Sequence, residues 1–513
     1  MKLNNMKSGV FILSLLCIFS LNALAKVVPN SLFSDNMVLQ HGVTVPVWGI
    51  ADVNENITIE FCGQKVSTVA KNGRWFIKLK PLNPGGPFDM IIKGDNTVKI
   101  NNILVGEVWV CSGQSNMARM LGPHPVQKPI VNYQKEVNDA VNYPQIRQFT
   151  VPLKASANKL EDVHGKWMVC DTNTVKSFSA VGFFFARALI QKLKNIPIGL
   201  IFSAWGGTPA EKWTSRTALE ENDELKSILA DYEKSILDYP TVVAKFNLEK
   251  DSLLNKWKVD SLKAIANNKY LPLWLRPKTP VKPEYSGDCG GLFNAMIAPL
   301  IPYSIKGVIW YQGENNVSKP KQYQTLFPAM IADWRKSWDI GDLPFLFVQV
   351  APFKNLTPEI REAQLLSWKK TPNTAMTVIV DYGDSADIHP ANKKPVGERL
   401  ALSAEAIAYK QKVAFSGPIY SSMEIAGNKI ILNFDYVNKG LIVKGGDKLA
   451  DFVIAGADKK FVPAKAIIRG NQIIVSSDKV TNPIAVRMGW SNVPHINLFN
   501  KDGLPASPFR TDI

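Results

Sequence analysis

The segment Ser112-Gly113-Gln114-Ser115-Asn116-Met117 directly follows an apolar run at residues 107–111. Such a run ending in a glycine-containing turn reads as a strand passing into a helix. A serine in that turn can present its hydroxyl at the sheet edge, where helix-start amides point at the same place, and a nucleophile needs both. A helix N-cap asks for the same residue type, so the segment alone leaves both uses open. It is not the G-x-S-x-G elbow, because position 117 is Met. A nucleophilic serine also needs a base. Of the histidines His41, His124, His164, His389 and His495, the best placed is His389, in Asp384-Ser385-Ala386-Asp387-Ile388-His389-Pro390 beyond the apolar run 375–380. Either Asp387 or Asp384 is near enough in sequence to hold its ring in one tautomer, although a plain surface-loop histidine would look similar.

Two more polar segments close apolar runs of the same region. Ser203-Ala204-Trp205-Gly206-Gly207-Thr208-Pro209-Ala210-Glu211 follows residues 200–202, and Tyr311-Gln312-Gly313-Glu314-Asn315-Asn316 follows 308–310. Glycine lets a backbone amide approach a developing oxyanion, and an amide side chain supplies a further donor. The elements that must carry these four segments are read from periodicity. Runs at 107–111, 197–202, 306–310, 344–350 and 375–380 suit strands buried on both faces, and 180–194 and 323–338 suit amphipathic helices. That alternation predicts an α/β domain with a mainly parallel sheet, whose ligands gather at the carboxyl ends of its strands.

The four blocks together resemble the sialate O-acetylesterase family of carbohydrate esterases, within the SGNH-type hydrolases. The residues that carry the resemblance are Gly113-Gln114-Ser115-Asn116-Met117, Trp205-Gly206-Gly207-Thr208, Trp310-Tyr311-Gln312-Gly313-Glu314 and Asp387-Ile388-His389-Pro390. It implies an SGNH-hydrolase-like three-layer domain and an ester hydrolase that removes O-acetyl groups from sugars, O-acetylated sialic acid foremost, with acetylated xylan or another polysaccharide as the alternative. It implies Ser115 as nucleophile, His389 as base and then acid, and Asp387 as the carboxylate that orients His389. The oxyanion donors implied are the Ser115 amide, a backbone amide at Gly207 or its neighbour Gly206, and the Gln312 side chain. Asn116, Arg119, Trp205, Trp213 and Glu314 are candidates for sugar contact. The Asp-x-His spacing is tighter than the Asp-x-x-His of many SGNH hydrolases, which keeps Asp384 as a second candidate acid. SGNH relatives often carry Asn in the third block, where this chain has Gln312. Ester cleavage asks for no metal or organic cofactor, and none is expected.

Two readings from other classes compete. A glycoside hydrolase would use Glu211 and Glu314 as its carboxylate pair and leave Ser115 and His389 idle. A noncatalytic glycan-binding protein would bind through flanking β domains.

The rest of the chain bounds these readings. Of its 513 residues 46% are hydrophobic and 20% charged, which gives ample apolar surface for several domains and argues against disorder. Residues 1–25 have the layout of a cleavable secretory signal, with Lys2 and Lys7 ahead of an apolar run and Ala23-Leu24-Ala25 at the cut, so a secreted or periplasmic protein is expected. Residues 26–105 read as a small β-sandwich, 106–410 as the α/β domain with a helical insertion at about 217–285, and 411–513 as a second β domain. The formal charge of +16 comes from scattered lysines and arginines rather than a basic run interleaved with aromatics. Export and scatter weigh against nucleic acid, no later stretch approaches a membrane span, and the oligomeric state is left open. Cys62, Cys111, Cys170 and Cys289 show no C-x-x-C spacing, so buried thiols and one disulfide stand level.

Overall fold

The computed structural model describes residues 26–124, 127–267, 276–283 and 289–512. The signal segment lies outside these, as does much of the proline-rich stretch 271–285.

A mixed α/β architecture holds one large mixed sheet and several smaller β-sheets. In the large sheet, β1 (Thr97–Gly113), β2 (Ile146–Thr150), β3 (Ile198–Ala204), β4 (Gly307–Tyr311), β5 (Phe345–Val348) and β6 (Thr374–Thr377) lie in the order β2-β3-β1-β4-β5-β6. All neighbours in this row are parallel, and Trp167–Val169 adds an antiparallel edge beside β2. Strands β3, β4, β5 and β6 are buried at every residue. Alternate side chains enter two separate cores: Val108, Val110, Val308 and Trp310 one, Trp109, Cys111, Ile309 and Tyr311 the other. Both faces are therefore covered by apolar packing, the condition a parallel sheet needs.

The cover comes from helices. Helix α1 (Ser115–Ala118) is a single turn after β1, and α2 (Ala180–Lys192) starts under an N-cap in which the Ser179 hydroxyl accepts from the Gly182 amide. Helix α3 (Lys226–Ala266) is one 41-residue helix with Pro240 inside it, within the stretch 217–285 read from sequence as a helical insertion. Helices α4 (Pro320–Trp338) and α5 (Pro358–Lys370) pack on the Trp310 side through Phe327, Trp334 and Ile360, while α2 and α6 (Lys394–Ile407) meet on the Tyr311 side through Phe184, Val396 and Leu400. Strand β2 was not foreseen from sequence. Arg147 and Gln148 interrupt its apolar pattern, yet both are buried, Arg147 Nε donating to the Pro144 carbonyl and Gln148 Oε1 accepting from the Ser179 amide.

Strand β1 belongs to two layers of the molecule. Its first half pairs antiparallel with Gly85–Lys93 and parallel with Val38–Gln40, and its second half lies between β3 and β4. The Ser115 segment thus extends from the longest strand among the described residues, anchored at both ends. Residues beyond 411 form two four-stranded sheets and a two-stranded one. They are tied to α5 by the Arg510–Glu362 pair (2.8 and 2.9 Å) and to the loop after β5 by Gln349 Nε2 donating to Ser507 Oγ at 2.9 Å. All four cysteines of the described chain are thiols, Cys62 exposed and the others buried.

Candidate active site

Strand β1 ends at Gly113, whose φ of +132° and whose missing Cβ, which would lie 2.3 Å from the Tyr311 carbonyl oxygen, leave room for no other residue. The chain then turns: the Gln114 amide donates to the Tyr311 carbonyl, and the Gln114 carbonyl accepts from Met117 and Ala118. Ser115 is the first helical residue and is half-buried, so its N–H stands outside the helix ladder.

His389 arrives from the loop after β6 and places Nε2 2.9 Å from Ser115 Oγ. Asp387 Oδ1 lies 3.6 Å from His389 Nδ1, within ion-pair range but longer than a hydrogen bond, and accepts the His389 backbone N–H at 2.9 Å. Asp384 faces elsewhere. Its carboxylate meets Lys128 Nζ at 2.6 Å and caps the amides of Ala386 and Asp387, so it shapes the loop rather than the ring. Burial, Lys393, Arg119 and His124 push His389 down to about 4 against the opposing pull of Asp387, so the ring is neutral near pH 7.

Gly206 lies against the serine, where a Cβ would sit 3.3 Å from Ser115 Cβ, and Gly206 and Gly207 are both exposed. Gly207 has φ +72° and its carbonyl accepts from Asn315 Nδ2 at 3.0 Å. The Gln312 expectation is corrected. Both amide hydrogens are engaged, on the Thr208 carbonyl (3.2 Å) and Asn316 Oδ1 (2.7 Å), and Oε1 accepts from the Tyr323 hydroxyl at 3.2 Å. With no exposed surface and no hydrogen left, Gln312 staples the loop after β3 to the loop after β4 instead of facing an oxyanion. Asn316 works alongside it, accepting from the Ala210 amide and donating to Glu211 Oε2, each at 2.9 Å.

Several expected sugar contacts are also corrected. Asn116 and Trp213 have no exposed surface, Arg119 is 3% and Glu314 5% exposed, so none is presented to a ligand. Asn116 Nδ2 donates to Glu314 Oε1 at 2.5 Å and to the Ile388 carbonyl at 3.0 Å, and Arg119 Nη2 donates to the Lys128 carbonyl at 2.5 Å. Trp213 Nε1 donates to Thr208 Oγ1 inside the core. Trp205 alone of the group stays half-exposed at the site. The glycosidase reading fails on the same facts: Glu314 is buried on Asn116 and Glu211 is held by Asn316, so no carboxylate pair faces a common substrate.

Lys393 was missed. It has no exposed surface, its Nζ donates to Asn116 Oδ1, and burial pushes it down to about 7. Its neighbours in Asn392-Lys393-Lys394 read as a solvated charge run, and no sequence signal separates Lys393 from the partly exposed Lys394. Among the described residues, three or more acidic, His or Cys groups close enough to share an ion occur only at Asp52, Glu55 and Asp95, a cluster that includes none of Ser115, Asp387 and His389. There Glu55 already accepts from the Asp52 and Asp95 amides.

The arrangement is a hydroxyl in contact with a neutral imidazole, beside glycine amides at the carboxyl ends of parallel strands. It is equipped for acyl transfer through a serine. Comparison with known proteins agrees with an esterase. Residues 105–239 and 288–404 match the family model described as carbohydrate esterase, sialic acid-specific acetylesterase. The chain is similar to the sialate O-acetylesterase of Rattus norvegicus, at 30% identity over 94% of each chain. The Homo sapiens sialate O-acetylesterase is 28% identical, with 93% of this chain and 91% of the relative covered. Among solved structures, a carbohydrate acetylesterase from Xanthomonas citri superposes with a TM-score of 0.78 at 34% identity, covering 95% of this chain and 99% of the other.

Proposed function

The chain belongs to the sialic acid-specific acetylesterase family of carbohydrate esterases and is a carboxylic ester hydrolase; from that premise we propose that it removes O-acetyl groups from sialic acids by a serine mechanism centred on Ser115. The observation that carries the mechanism is the 2.9 Å contact between Ser115 Oγ and His389 Nε2. We read the parallel sheet with helices on its two faces as the three-layer SGNH-type arrangement, and residues 1–25 as an export signal.

Neutral His389 accepts the Ser115 proton as Oγ bonds to the acetyl carbonyl carbon. Negative charge collects on the carbonyl oxygen, where the Ser115 N–H and a backbone N–H at Gly206 or Gly207 meet it; one such donor is worth about 10²–10³ in rate. The bond from carbon to the sugar oxygen breaks, and the imidazolium gives its proton to that oxygen. The acetyl group is left on Ser115. Water then adds to the acetyl carbon, passing a proton to His389, and acetate departs as the proton returns to Oγ. Asp387 stabilises the imidazolium in both halves and sets the ring through its bond to the His389 amide. Trp205, half-exposed beside Gly206, supplies an apolar wall for the sugar.

Acetate release from O-acetylated sialic acid and from acetylated xylan, by the wild type and by Ser115→Ala, tests this reading. Preferred hydrolysis of the sialic acid ester, abolished in the variant, is the expected result. Preference for xylan would reassign the substrate, and a fully active variant would remove the mechanism.

A further inference from the structure

Lys393 stands just before α6, four residues past His389, and lies wholly buried beneath the reacting groups. Its Nζ donates to Asn116 Oδ1 and sits 5.1 Å from the centroid of the Tyr311 ring. Asn116 follows Ser115 directly, and Ile388, whose carbonyl takes one Asn116 hydrogen, directly precedes His389. The Asn116 amide therefore bridges the nucleophile's helix to the base's loop. Its orientation is dictated from both sides: an ammonium requires the amide oxygen, and the Glu314 carboxyl is met by the amide nitrogen at 2.5 Å. A flipped amide would set Oδ1 against the Ile388 carbonyl and leave the ammonium without an acceptor.

An ammonium away from water is expensive to keep, and Lys393 touches no atom that the ester chemistry uses. We propose that Lys393 is a positioning residue of the hydrolysis: through Asn116 it locks Ser115 and His389 in register, and its positive charge joins burial in disfavouring the imidazolium, so that the ring is ready to take the serine proton. This rests on the reading of Ser115 and His389 as nucleophile and base.

The charges around the pair are consistent with both halves. Lys393, Arg119 and His124 face His389 and disfavour its protonation, while Asp387 favours it. Glu314 and Asp387 favour the charge on Lys393, and Arg119 opposes it. Burial pushes Glu314 up, while Asn116 and Lys393 pull it back down. Lys393 titrates at about 7 and His389 at about 4, so the ammonium is charged throughout the pH range in which His389 gains its proton. Removing it lets the imidazolium form at higher pH, and the base is lost sooner as pH falls.

The test is the pH profile of kcat and KM on an aryl acetate for the wild type, Lys393→Met, Lys393→Gln, Asn116→Ser and Ser115→Ala. In Lys393→Met, kcat should fall with KM within about threefold of wild type, and the acid limb of kcat/KM should move up by about one unit. Lys393→Gln, which offers Asn116 a donor without charge, should recover part of kcat and keep the moved limb. Asn116→Ser, which cuts the bridge and keeps the ammonium, should lower kcat with the limb unmoved. An unmoved limb in both Lys393 variants overturns the charge role, and wild-type kcat in them overturns the positioning role. If Lys393→Met does not fold, as judged by circular dichroism, the Gln and Ser variants decide the same two points. Activity surviving in Ser115→Ala would instead overturn the serine mechanism beneath the proposal, a separate result from either Lys393 outcome.

Discussion

At the scale of residues, the site divides into groups that touch the ester and groups that hold them. Ser115→Ala and His389→Ala should each lower kcat/KM on an aryl acetate by at least about 10³, because each removes one partner of the same proton transfer. Asp384→Asn should leave it within about threefold, since that carboxylate is engaged with Lys128 and loop amides, whereas Asp387→Asn should cost about 10² or more. Steady-state kinetics on these four variants separate the two acids. The sign of the pH dependence follows from His389: the ring must be neutral to act as base, and its titration at about 4 means activity persists through mildly acidic pH and falls only as that value is approached. An acid limb above pH 6 in the kcat/KM profile would contradict this. Ser115 and His389, which the fold brings into contact, were both marked in the sequence by short polar segments that follow apolar runs, whereas spacing alone left Asp387 and Asp384 level. Gln312 was misread for a physical reason, since an amide side chain can donate inward as readily as toward an oxyanion, and only the positions of Thr208, Asn316 and Tyr323 decide which. Lys393 was hidden because burial of one lysine in a charged run depends on the helix packed behind it.

At the scale of elements, two glycines test how the strand ends aim the chemistry. Gly113→Ala places a Cβ 2.3 Å from the Tyr311 carbonyl at φ +132°, so β1 and β4 must part at the nucleophile. A drop in melting temperature together with loss of activity is the expected pair of results. Gly206→Ala is subtler, with its Cβ 3.3 Å from that of Ser115 and in the usual half of φ space. It should keep the wild-type melting temperature and lower kcat by about 10–100-fold through displaced oxyanion donors; unchanged kcat would place the donors elsewhere. The buried strands β3, β4 and β5 were foreseen from unbroken apolar runs, and β2 was not, because its polar residues break the run and are satisfied by the fold, Gln148 by the distant Ser179 amide and Arg147 by Asn36, Asn102 and the nearby Pro144 carbonyl. Strand β6 is shorter than its apolar run, since residues Val380–Tyr382 leave the sheet in a tight helical turn toward the base loop.

At the scale of the whole molecule, β1 runs unbroken from its pairing with Gly85–Lys93 into the parallel row of the large sheet, and the sheets beyond residue 411 are held to α5 by Arg510 and Glu362. No helix among the described residues is long and apolar enough to cross a membrane. A cleft of about 890 Å³ lined by Trp48, Arg74, Phe76 and Lys159 contains none of Ser115, Asp387 and His389 and stands apart from the candidate site. A net charge of +16 attracts anionic glycans at low ionic strength, and physiological salt screens that attraction. Raising NaCl from low to physiological strength should therefore raise KM for O-acetylated sialic acid and leave that for a neutral aryl acetate unchanged, with equal responses counting against steering. Activation of Ser115 by His389 for acyl transfer is tested by labelling the intact protein with a fluorophosphonate, followed by peptide mass spectrometry. A single adduct on Ser115, absent in Ser115→Ala and strongly slowed in His389→Ala, is the expected result; no adduct on an active enzyme, or an adduct on another residue that abolishes activity, would contradict this activation.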